Sequence, residues 1–174
     1  MIRWSVRSPK ARALARWLAA LTLACCGPAT AASCNLSVGS LNFGSFVGTQ
    51  TSTSSSASFT CTNVNPALLP ERVDFEIRLS TGAGTYAQRQ MNRTATPADT
   101  LQYNLYLNFL PAVLNTNVWG DGSGTTVRWT GRMNLSPGQP SRTETATLVG
   151  AIPSGPAPSA GSYQDTVVVT VLIL

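Results

Sequence analysis

Apolar and polar residues alternate with a period of two along most of this chain, and no stretch sustains the period of a helix. Val73, Phe75, Ile77 and Leu79 alternate with Asp74, Glu76 and Arg78. Successive side chains of an extended strand point to opposite faces, so this pattern predicts a strand with one buried and one wet face. Leu101, Tyr103, Leu105 and Leu107 alternate with Gln102, Asn104, Tyr106 and Asn108, and Val127, Trp129 and Met133 with Arg128, Thr130 and Arg132. Ala57, Phe59 and Cys61 share one face. Leu36, Val38, Leu41, Phe43 and Phe46 read as a longer, interrupted first strand, and Ala146, Leu148 and Ile152 as a weaker one.

Turn chemistry separates these runs: Thr81-Gly82-Ala83-Gly84, Gly120-Asp121-Gly122-Ser123-Gly124, Ser136-Pro137-Gly138, and a Pro/Gly loop over 153–162. Short strands at such spacing predict an all-β antiparallel sandwich of one domain.

The N-terminal 32 residues read as a signal peptide, leaving a domain at 33–174. Arg3, Arg7, Lys10, Arg12 and Arg16 make a basic start, residues 17–26 an apolar run, and Ala29-Thr30-Ala31-Ala32 a small-residue cleavage region. That apolar run is shorter than the roughly 20 residues needed to cross a bilayer. Cleavage is expected after Ala31 or Ala32, with lipidation of Cys25 or Cys26 as the alternative. The whole chain carries a formal charge of +5, and the leader supplies all of it. From Ser33 onward seven arginines face seven acids, with no lysine and no histidine. A nucleic-acid surface needs clustered cations in the folded domain, so the composition argues against that class of partner.

Two cysteines remain after the leader, Cys34 and Cys61. An even count in an exported chain predicts a disulfide. Two cysteines without histidine cannot complete a tetrahedral zinc site. Nucleophilic catalysis wants a base beside the nucleophile, and histidine and lysine are both missing from residues 33–174. The Trp119–Gly124 loop brings one acid, too few for calcium. The expectation is a structural or binding protein, not an enzyme, with no cofactor and no metal.

The C-terminal run from Asp165 to Leu174 is strongly β-forming and apolar on both faces towards its end. It reads either as a central strand covered on both sides or as an edge with unpaired backbone groups.

Several stretches, in order along the chain, resemble the spore coat protein U domain of archaic (Csu-type) chaperone–usher pilins. They include Cys34 with Asn42-Phe43-Gly44, Phe59-Thr60-Cys61, and Ala87-Gln88-Arg89-Gln90-Met91. They continue with Gln102-Tyr103-Asn104-Leu105-Tyr106, Trp119-Gly120-Asp121-Gly122, and Gly161-Ser162-Tyr163-Gln164-Asp165-Thr166-Val167. The resemblance implies an incomplete immunoglobulin-like antiparallel sandwich lacking its last strand. It also implies a fibre subunit with roles in adhesion and biofilm formation, exported through the periplasm to the cell surface. Its partners would be a periplasmic chaperone, an outer-membrane usher and a neighbouring subunit, whose strand fills the gap by β-augmentation. By carry-over Val167, Val169, Val171 and Ile173 border that groove. The family name keeps a second reading open, a coat or matrix protein that does not polymerise.

The sequence departs from the family pattern in two places. A subunit that donates a strand carries an apolar extension before its first cysteine, whereas residues 27–33 are Gly-Pro-Ala-Thr-Ala-Ala-Ser. That predicts an acceptor only, which in a head-to-tail fibre sits at the distal tip. The stretch from Phe109 to Leu114 is more apolar than the family loop, and reads as local packing or as a tip for adhesion to a hydrophobic, abiotic surface.

Overall fold

The computed structural model describes residues 2–7, 32–64, 70–108 and 117–174. The rest of the stretch expected to be a leader and the Phe109–Leu114 stretch lie outside the described residues. Ten strands follow in chain order: β1 (Ile2–Arg7), β2 (Ser33–Val38), β3 (Thr51–Thr62), β4 (Glu71–Leu79), β5 (Ala83–Gly84), β6 (Arg89–Arg93), β7 (Thr100–Leu107), β8 (Trp129–Leu135), β9 (Ser141–Ile152) and β10 (Tyr163–Ile173).

Two layers face each other. One runs β2-β3-β9-β7-β6, the other β10-β4-β8, and β10 joins them by pairing with β6 at Tyr163 and Gln164 before it runs along β4. All these pairings are antiparallel. The predicted buried faces meet in the middle. Phe59 of β3 lies against Phe75 of β4 with ring centroids 4.7 Å apart, and Trp129 meets both Phe75 and Trp119 edge-on. Val73, Phe75, Ile77 and Leu79 are all buried, each contributing about 1.5–3 kcal/mol before entropy. The result is an all-β, immunoglobulin-like sandwich.

Three details differ from the reading of alternation. The first strand stops at Val38, and residues 39–50 pack without regular pairing while Leu41, Phe43 and Phe46 still reach the core. The weak pattern of Ala146, Leu148 and Ile152 belongs to a long central strand, β9, paired along its whole length with β3 and at its end with β7. Glu76, expected on a wet face, is buried beneath the guanidinium groups of Arg78 and Arg128. Burial alone would raise its carboxyl, but hydrogen bonds from those two arginines outweigh it and hold the pKa below the ordinary 4.5. Asp74 is bracketed in the same way, more openly, by Arg72 and Arg132.

Cys34 and Cys61 face each other in the β2–β3 register and are bridged, with Cα atoms 4.1 Å apart. Cys61 is fully buried beside Phe59, as their shared face predicts.

Candidate functional site

β10 is the strand on which the functional reading turns. Val167 and Val169 are completely buried, Val171 packs partly against the core, and Ile173 is 55% exposed. Alternation thus puts three of the four residues on the core side, with cover fading toward the chain's last residues. Leu172, on the opposite face, lies across from Glu76.

The two edges of β10 differ. One pairs with β4, from Val169↔Leu79 to Ile173↔Phe75. The other carries no described strand from residue 32 onward beyond the start of β10. Along it lies β1, in parallel register from Ile2↔Asp165 to Arg7↔Thr170. Val169 and Thr170 pair with β4 and β1 at once, so the two neighbours flank β10 on opposite sides. The stretch expected to be a leader therefore contributes a six-residue strand to this edge.

A buried polar cluster anchors the start of β10. Asp165 accepts hydrogen bonds from the Tyr103 hydroxyl at 2.5 Å, the Ala83 amide at 3.0 Å and the Thr166 amide at 2.7 Å. Gly82 leaves room for that approach: its φ is 65°, and a Cβ there would run into the Asp165 carboxylate. Burial, then the hydrogen bond to Asp165, pushes the Tyr103 phenol well above its ordinary value, so it stays a donor. Beside them Arg89 is fully buried. It donates to the carbonyls of Thr81 at 3.2 Å, Ser80 at 2.7 Å and Trp119 at 2.9 Å, and lies over the Tyr86 ring. Asn104 is buried too, donating to the carbonyl of Tyr86. Trp119 is buried and its indole N–H donates to Ile77, so the glycine-rich loop after it is a capped turn.

Next to the start of β10, a cavity of about 600 Å³ opens between residues 42–46 and 158–164. Phe43, Phe46, Met91, Leu101, Ile152 and Tyr163 supply its apolar walls. Among the described residues no three His, Cys, Asp or Glu side chains converge on a metal position. The arrangement favours backbone pairing and apolar packing.

The cysteine count points to Cys34 and Cys61, alternation to the inward face of Cys61, and the family resemblance to Val167, Val169, Val171 and Ile173, but none of these marks Arg89 and Asp165 as buried groups. Their signal lay in the family-like stretches around Arg89, Tyr103, Asn104, Trp119 and Asp165, which converge here.

The Spore Coat Protein U domain family matches this chain over residues 19–170. No curated protein matches it. Among solved structures it is similar to a chain from work on a chaperone–tip adhesin complex vital for synergistic activation of CFA/I fimbriae biogenesis, at 15% identity and a TM-score of 0.45. That similarity covers 80% of this chain and 42% of the other. The family match takes in both cysteines, the buried cluster and most of β10, and the chain belongs to the Spore Coat Protein U domain family.

Proposed function

We propose that this chain is a structural and adhesive subunit of a chaperone–usher surface fibre, completed by a strand from another chain along the edge of β10 that faces away from β4. The observation that carries this reading is the pairing of β1 with β10. Six consecutive residues add to that edge in regular register, which is the geometry of β-augmentation. Val167, Val169, Val171 and Ile173 would border the groove, with the exposed Ile173 at its open end. A periplasmic chaperone would occupy the edge first and a neighbouring subunit's strand later, with assembly at an outer-membrane usher. The role is structural and not enzymatic, and the site of action is the cell surface.

Within a fibre the position that fits is the distal tip. Residues 27–33 hold no large apolar side chain, so a chain cut after Ala31 or Ala32 has no strand suited to a neighbour's groove. At the tip the protein would serve surface adhesion and biofilm formation.

Purification of the exported protein from its native cell tests the reading. A co-purifying periplasmic chaperone, and fibres carrying immunogold label at their ends, are expected. Label along whole shafts removes the tip position. Monomeric protein in an extracellular matrix, without chaperone or fibres, favours the non-polymerising coat reading instead.

A further inference from the structure

The backbone nitrogen of Ala32 lies 2.6 Å from Oε1 of Glu71. Ala32 leads into β2 in one layer, and Glu71 opens β4 in the other. The contact therefore joins the two sheets. The second oxygen of the same carboxylate, Oε2, is buried and has no hydrogen-bond partner among the described residues. A buried carboxylate oxygen without a donor is disfavoured, and such an atom calls for an explanation. The single hydrogen of this peptide nitrogen goes to Oε1 and leaves Oε2 without a donor.

We infer that leader cleavage falls between Ala31 and Ala32 and that the new N-terminus docks on Glu71 as an ion pair. Water adds across the Ala31–Ala32 peptide bond in a reaction catalysed by the exporting cell's leader peptidase. Ala31 departs with the carboxylate, and the Ala32 nitrogen becomes a free amine. With an ordinary pKa of about 7.7–8.0, that amine is mostly protonated at neutral pH. Its three N–H donors can serve Oε2 as well as Oε1, which the one amide hydrogen does not. The sequence agrees, because Ala29-Thr30-Ala31 is a small-x-small triplet ending at this bond. A cut one residue later would carry the Ala32 nitrogen away and leave Glu71 unmatched.

An N-terminus held against the sandwich is not a free strand. The docking thus deepens the acceptor-only reading, but it does not depend on that reading.

The domain from Ala32 onward has no lysine, so an amine-reactive ester has one target, the α-amine. Exported protein is weighed intact and then labelled at pH 7, as wild type, as Glu71→Gln, and as wild type in urea. The expected mass begins at Ala32. An opposite charge this close raises the amine's pKa by about one unit, so folded wild type labels about tenfold more slowly than Glu71→Gln or unfolded wild type. A mature start at Ser33 overturns the inference, and so does folded wild type labelling as fast as unfolded. The wild-type comparison decides the matter even if Glu71→Gln fails to fold. Neither measurement depends on whether β10 accepts a strand.

Discussion

The Tyr103 hydroxyl donates to the Asp165 carboxylate at 2.5 Å, joining β7 to the first turn of pairing in β10. Both groups are buried, so neither can exchange this bond for water. Tyr103→Phe keeps the ring and removes the donor. It should lower stability by about 1–3 kcal/mol, the cost of leaving a buried acceptor short of a partner. Thermal unfolding of the two proteins under one condition checks this, and an unchanged midpoint would show that the bond contributes nothing.

The Cys34–Cys61 bridge spans a sequence separation of 27. In the chain-entropy account a loop of that size contributes about 3.5 kcal/mol. The double variant Cys34→Ser, Cys61→Ser should lose stability on that scale. Since Cys61 is fully buried, thiol titration of native exported protein should find no free thiol and slow reduction. Two free thiols in that protein would contradict the bridge.

Glu76 gives a pH dependence with a definite sign. Its folded pKa is depressed, so the unfolded state binds the proton more readily. The stabilisation is complete above the ordinary value of 4.5 and is lost as pH falls through the lower folded value. Denaturant unfolding between pH 7 and pH 3 should show stability falling below about pH 4.5, and Glu76→Gln should flatten part of that fall. An identical pH profile in the variant would remove Glu76 from the account.

Much of the fold was legible because alternation is a local signal. The faces of β4 and β8, and the inward direction of Cys61, followed from which residues sit two apart. The buried cluster was not legible in this way. Arg89 and Asp165 are charged, and a charged residue in an alternating run reads as wet unless its partners are known. Those partners come from far along the chain: Tyr103 is 62 residues from Asp165, and Trp119 is 30 from Arg89. Glu76 reads as wet for the same reason, since its partner Arg128 lies 52 residues away. The edge of β10 was half legible. Its apolar run was plain, but whether a strand covers each side depends on topology, which a period of two does not encode.

The central claim is that β10 has an edge that another strand completes. The most direct test is amide hydrogen exchange on the leader-free domain, alone and with an alternating apolar strand fused through a flexible linker. Amides of β10 facing away from β4, between Thr166 and Ile173, should exchange quickly in the lone domain. They should become protected in the fusion, together with a large rise in melting temperature. A tightly bound strand at a thousandfold excess over its dissociation constant contributes about 4 kcal/mol. A lone domain that melts cooperatively at high temperature, with those amides already protected and unchanged by the added strand, would contradict the account.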